Sequence, residues 1–187
     1  VGDRTRYVNS EHLDFVSKLD NPIGIKIGPK IKIDDIPAIC SKVNPQNEQG
    51  KLIFIVRLGE KNIEKMLPKI IEKVKYYGHE IIWFCDPMHG NTIKSQNGYK
   101  TRQFKTIINE LESFFNIHMS SNTIPGGVHI ELTGENVTEC LGGINDIKDK
   151  DLDLRYETAC DPRLNNEQSL EIAFLISKLI KQRKNNG

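Results

Sequence analysis

The chain has almost no net charge. Its 187 residues hold 26 Lys and Arg against 25 Asp and Glu, a formal +1. Bulk electrostatics therefore call for neither nucleic acid nor a membrane surface as a partner. There is no run of 18 apolar residues, so no transmembrane helix is expected. The opening Val1-Gly2-Asp3-Arg4 is charged, unlike a signal peptide, and has no initiator Met, which suggests a piece of something longer. Only four cysteines occur (Cys40, Cys85, Cys140, Cys160), far apart and without a C-x-x-C pair. That spacing argues against a zinc ribbon or a disulfide scaffold and for a reducing cytoplasm. A G-x-G-x-x-G fingerprint and a Walker-type phosphate loop are both missing, which weakens a dinucleotide or nucleotide reading.

What is present is alternation. Apolar runs at residues 23–27, 52–58, 80–85 and 128–132 read as strands, with residues 155–160 as a weaker fifth. Between them, Ile33, Ile36, Ile39, Cys40 and Val43 fall at helical spacing, with Pro37 acceptable in a first turn. Residues 62–77 repeat apolar side chains near every 3.6 positions, with Pro68 expected to kink that helix or start its main body. Residues 103–115 and 165–182 complete the helices, Asn165 or Asn166 capping the last, and residues 182–187 read as a frayed polar tail. Strand and helix in turn imply parallel βα units. An open doubly wound sheet and part of a (β/α)8 barrel both fit. A full barrel needs about 250 residues, so this would be part of one.

The residues suited to chemistry cluster at the ends of these runs. Lys26 interrupts one apolar strand and Arg57 ends another; bare charges there are costly unless paired, and the two together suit a phosphate or carboxylate. His89 follows a strand in Cys85-Asp86-Pro87-Met88-His89-Gly90-Asn91-Thr92. Glu131 is read as lying within the strand at 128–132, where a carboxylate needs a cation or a metal. Asp161 stands between Cys160 and Pro162. A His, a Glu and an Asp at strand ends suit a borderline divalent metal, Mn, Fe, Co or Zn. His129 lies two residues before Glu131 and so faces the same way, as a neighbour to the ligands. The basic stretches Asp3-Arg4-Thr5-Arg6 and Gly98-Tyr99-Lys100-Thr101-Arg102 would be loops over the strand ends, placed for substrate phosphates. Cys85 and Cys160 read as packing residues rather than nucleophiles.

These blocks, with Asn21-Pro22-Ile23-Gly24-Ile25-Lys26-Ile27-Gly28-Pro29, Pro125 to Cys140 and Tyr156 to Asn165, resemble the type II 3-deoxy-D-arabino-heptulosonate 7-phosphate (DAHP) synthases over nearly the whole chain. The resemblance implies an α/β fold, residues 1–187 forming one partial domain that is the C-terminal half of a (β/α)8 TIM barrel. It implies condensation of phosphoenolpyruvate with erythrose 4-phosphate, the first step of the shikimate pathway. It puts His89, Glu131 and Asp161 on three metal-ligand positions, with Mn2+ favoured over Co2+, Fe2+ or Zn2+. Arg4, Lys26 and Arg57 fall on phosphoenolpyruvate positions and Lys100 near the aldose phosphate; Lys26, Arg57 and His89 are the catalytic set. A fourth ligand, a cysteine, would belong to an N-terminal part outside this chain. Asp3 stands where the family usually has Glu. The family further implies a homo-oligomer when full length, chorismate mutase as a partner chain, and a cytoplasmic setting, or a plastid in a plant. An inactive half-barrel fragment and a non-catalytic regulatory subunit are the alternative readings.

Overall fold

The computed structural model describes residues 1–186, and side chains as far as residue 183. A short helix α1 (Glu11–Val16), capped by the Ser10 hydroxyl accepting from Leu13 N at 3.2 Å, precedes β1 (Ile23–Ile27). A 3-10 turn then leads into α2 (Ile36–Val43), with Pro37 in its first turn, where a missing N–H costs nothing. There follow β2 (Leu52–Val56), α3 (Glu60–Tyr76), β3 (Ile82–Cys85), a hairpin of β4 (Thr92–Lys94) and β5 (Lys100–Arg102), α4 (Phe104–Ser120), β6 (Pro125–Val128) and α5 (Asn166–Asn186). Helix α3 runs through Pro68, so that proline neither ends nor starts it. Asn165 caps α5, its Oδ1 accepting from Gln168 N at 2.9 Å. The tail expected to fray continues this helix through Asn186; Gly187 lies outside the described residues.

Strands β1, β2, β3 and β6 form one parallel sheet in that order. Spatial order follows chain order without reversal. Each helix packs beside the next, α1 on α2, α2 on α3, α3 on α4 and α4 on α5. The sheet is therefore wound in one direction and has no doubly wound switch point. No helix among the described residues is long and apolar enough to cross a membrane.

Alternation sets the two faces. Ile23, Ile25, Ile27, Leu52, Phe54, Val56, Trp83 and Cys85 are buried and belong to the main core. On the opposite face Gly24, Lys26, Ile53, Ile55, Ile82 and Phe84 are only half-buried. Backbone bonds carry the ladder one step past the strands: Arg57 N to Ile27 O at 2.9 Å, Asp86 N to Val56 O at 2.6 Å, His129 N to Cys85 O at 2.7 Å. Lys26, Arg57, Asp86 and His129 are thereby aligned along the C-terminal rim of the sheet.

Two expectations change. The last strand is shifted to Pro125–Val128, so Glu131 lies beyond it rather than inside it. Its neighbour β3 ends at Cys85, and past the bond from His129 N there is no ladder left to extend. Residues 155–160 are not a strand. They form a loop organised by a buried carboxylate described below.

The loops after β2 and β3 meet backbone to backbone at Gly59 (φ 80°) and Gly90. A Cβ on Gly90 would stand 2.4 Å from Gly59 N, 2.8 Å from Gly59 Cα and 3.1 Å from Arg57 O, all main-chain atoms that cannot swing aside. We therefore expect Gly90→Ala to lose about 1–3 kcal/mol of unfolding free energy in urea titrations; an unchanged midpoint would show that the loops separate freely.

Candidate metal and anion site

The site begins with Asp86, which is fully buried just past β3. It pairs with the Lys26 ammonium and accepts from Met88 N at 3.1 Å and His89 N at 3.2 Å. His89 Nδ1 lies 2.8 Å from Asp86 Oδ2. Burial works to raise the Asp86 pKa, but His89 and Lys26 outweigh it and hold the carboxyl well below its usual range. An ionised carboxylate can only accept, so Nδ1 carries the proton and Nε2 is presented to the other side.

Arg57 is fixed by two contacts, Nη2 donating to His89 O at 2.8 Å and Nη1 standing 3.3 Å from Asp3 Oδ2. Asp3 also accepts from Gly28 N at 2.8 Å and Arg6 Nε at 3.0 Å, so the shorter carboxylate still reaches the rim. The Arg57 Nε is buried and has no hydrogen-bond partner among the described residues. Beside it opens a cavity of about 680 Å³ whose charged lining includes Asp3, Arg4, Lys26, Lys30, Arg57 and His89. Cations outnumber carboxylates there, which favours an anionic ligand. Lys30 carries little signal in the sequence beyond following Gly28-Pro29 at the end of β1.

On the far side of His89, Nε2 lies 3.3 Å from Glu131 Oε1 and 3.8 Å from Asp161 Oδ2. One donor atom from each of His89, Glu131 and Asp161 falls within 4.8 Å of the others. The three residues singled out for a metal are thus brought together. Asp86 first and Glu131 second raise the His89 pKa to about 9, so Nε2 also holds a proton near neutral pH and a metal binding there would displace it. Burial works to raise Glu131, but His89 and Arg102 hold it below the ordinary value; Lys100 lowers Asp161 through a direct ion pair. Glu131 Oε2 is buried and receives no aligned donor. Two carboxylates converging on one imidazole nitrogen fit a divalent cation with mixed N and O ligands. Donors of Asp86, His89 and His129 also come within 4.8 Å, but Asp86 is already engaged by Lys26 and His89. His129 itself is exposed, its ring 6.2 Å from that of His89.

The model of the class-II DAHP synthetase family matches residues 1–177. The chain belongs to that family. It is 50% identical over 181 residues to phospho-2-dehydro-3-deoxyheptonate aldolase AroG of Mycolicibacterium smegmatis, covering 97% of this chain and 39% of that protein. It is 47% identical over 179 residues to the phospho-2-dehydro-3-deoxyheptonate aldolase of Streptomyces coelicolor, covering 96% of this chain and 40% of that one. The chain spans about two-fifths of the length of these curated relatives.

Three buried charges of this class-II DAHP synthetase chain carry the site without standing out in the sequence. Arg102, grouped with Lys100 as a loop residue for phosphates, is instead wholly buried on β5, where its guanidinium faces Glu131, Met88 O and Pro162 O. Glu139, also wholly buried, holds the Asp161 loop. It accepts from Glu157 N at 3.2 Å, Thr158 N at 2.9 Å and Arg163 N at 2.7 Å, and pairs with the Arg163 side chain at 2.6 Å. Cys160, expected to pack, is exposed on that loop, whereas Cys85 is buried.

Glu110 on α4 accepts from Gly59 N and from Asn91 Nδ2, each at 2.7 Å, and Asn91 Oδ1 accepts from Glu60 N at 3.1 Å at the start of α3. Glu110 thereby ties together the loops bearing Arg57 and His89. Burial pushes its pKa up to about 8 against these donors. The folded state then holds a proton that the unfolded chain releases near the ordinary 4.5. The stabilisation is complete below that value and is lost as pH rises to about 8. Relative to Glu110→Gln, the unaltered protein should lose stability between pH 5 and pH 8, by at most about 1.4 kcal/mol per unit. Parallel pH profiles from denaturant unfolding would contradict this.

Proposed function

We propose that the chain forms the phosphoenolpyruvate- and metal-binding part of an enzyme that condenses phosphoenolpyruvate with erythrose 4-phosphate to give DAHP and phosphate. The observation that carries this reading is the convergence of His89, Glu131 and Asp161 donors within 4.8 Å, beside a cavity lined by Arg4, Lys26 and Arg57. The family membership and the names of the two relatives support it. The one-directional parallel sheet, with β1 and β6 as its outer strands, supports a segment of a (β/α)8 barrel with its site at the C-terminal rim.

In this reading Lys26 and Arg57 bind the phosphate and carboxylate of phosphoenolpyruvate, and Arg4 contacts the same anion. Holding two anionic substrates in contact is most of the task, and fixed cations do it without reorganising. Asp86 keeps His89 in the tautomer that presents Nε2 outward. A divalent metal, Mn2+ first among the candidates, held by His89, Glu131 and Asp161, supplies Lewis-acid polarisation of the aldehyde carbonyl when bound. Lys100, half-exposed and paired with Asp161, is an accessible cation at that end of the site and suits the aldose phosphate. C3 of phosphoenolpyruvate attacks the aldehyde carbon, whose oxygen takes up a proton; water adds to C2, the carbon bearing the phosphate, and loses a proton, and the bond from C2 to the phosphate oxygen breaks to release phosphate.

In the full natural protein, Arg57→Ala should raise the phosphoenolpyruvate KM about ten- to a hundred-fold, the worth of a charge-assisted contact of roughly 1.5–3 kcal/mol. His89→Ala should abolish Mn2+ binding by isothermal titration calorimetry. Unchanged phosphoenolpyruvate dependence, or Mn2+ bound equally well without His89, would overturn the assignment.

A further inference from the structure

Arg102 has no exposed surface, although it sits on a three-residue strand of a peripheral hairpin. Burying a guanidinium is expensive, and an apolar side chain would pack there at lower cost. What surrounds it explains the charge. Its Nε donates to Met88 O at 2.8 Å and to Thr92 Oγ1 at 3.2 Å, Nη1 donates to Pro162 O, and Nη2 stands 2.8 Å from Glu131 Oε2. Met88 immediately precedes His89, and Pro162 immediately follows Asp161. One rigid planar group therefore touches all three segments that bear the converging donors, and one donor residue directly.

We propose that Arg102 is the positioning residue of the metal site, a buried fork that sets the spacing of the His89, Glu131 and Asp161 donors rather than a contact for substrate phosphate. This rests on the metal reading above. The Nη2–Oε2 approach is close but lies off hydrogen-bond geometry, for both atoms remain without an aligned partner. It acts as a counter-charge that fixes one carboxylate oxygen and leaves Oε1 turned toward His89 and Asp161. The two carbonyl contacts fix where the flanking loops stand. A lysine could supply the charge from one point, but it could not hold Met88, Pro162 and Glu131 at once, because only the guanidinium spreads its donors in a fixed plane.

The test compares the full natural protein with Arg102→Lys and with Arg102→Met. Mn2+ affinity is measured by calorimetry on the folded protein, the KM for phosphoenolpyruvate and kcat by steady-state assay, and folding by circular dichroism. Both variants should bind Mn2+ about ten- to a hundred-fold more weakly, the usual loss when a group supporting metal ligands is removed. The phosphoenolpyruvate KM, governed by Lys26 and Arg57, neither of which Arg102 touches, should stay unchanged while kcat falls. Restoration of Mn2+ affinity by lysine would reduce Arg102 to a simple charge and overturn the fork. So would unaltered Mn2+ affinity, an equal loss for metal and phosphoenolpyruvate, or failure of the lysine variant to fold, which would mark a core element. If the unaltered protein binds no Mn2+, the metal reading itself falls and takes this proposal with it; Mn2+ binding equal in all three removes the Arg102 role alone.

Discussion

The charge on which both halves of the site depend is the carboxylate of Asp86. It is fully buried, so it must be compensated, and its two compensating groups come from opposite sides. Lys26 reaches it from β1 across the end of β2 and is thereby held at the edge of the anion cavity. His89 donates from its own loop and is thereby turned to face Glu131 and Asp161. Removing Asp86 would release the lysine and the imidazole together, leaving a cavity and a ligand cluster with no fixed relation. An ion pair this deep is weak evidence for stability, since desolvation consumes most of the Coulombic gain. Its value here is geometric.

The same device recurs along the rim. Asp3 pairs with Arg57, Glu131 with Arg102, Asp161 with Lys100 and Glu139 with Arg163, and in every pair the partners come from different segments. These differ from the outlying pairs Lys148–Asp146 and Arg155–Glu157, which are largely exposed and contribute little. The apolar face beneath the helices sets the rough placement of the strand ends, and the rim pairs set the last ångströms. Glu110 works with them through Gly59 and Asn91, pinning the two loops that the close Gly59–Gly90 approach already brings together.

Much of this was legible in the sequence where periodicity was strong. Apolar spacing at 23–27, 52–58, 62–77 and 103–115 foretells β1, β2, α3 and α4, although β2 stops at Val56 and α4 runs on to Ser120. Lys26 and Arg57 stood out because a charge on an apolar strand needs a reason. Legibility fails where structure depends on approach from a distance. The Gly126-Gly127 pair allows β6 to pack against the Phe84 ring, where a Cβ on Gly127 would come within 2.8 Å, and this draws the strand toward its N-terminal side. The hairpin carrying Arg102 has short, polar strands with no alternation to read. Arg102 and Glu139 are ordinary charged residues in sequence. Their roles appear only when Pro162, 60 positions from Arg102, and Arg163, 24 positions from Glu139, fold back onto them.

The two faces of the sheet are unequal, and the site sits on the less finished one. Ile25, Ile27, Phe54 and Val56 are fully sealed under the helices, whereas Ile53, Ile55, Ile82 and Phe84 remain half-buried. Strand β6 ends the sheet on one side; on the other, β1 is met only by Val1, which donates to Gly24 O and accepts from Lys26 N. Any strand that paired with either edge would add backbone bonds and cover part of that face, at about 25 cal/mol for each Å² of apolar surface removed from water. The same covering would reach the rim, since Lys26 lies on that face and Arg57 follows at its end. Excluding water there lowers the effective dielectric around both cations and strengthens their hold on an anion. A strand that extended the sheet would therefore also tighten the proposed anion site, with the apolar surface supplying the energy and the fixed cations the specificity.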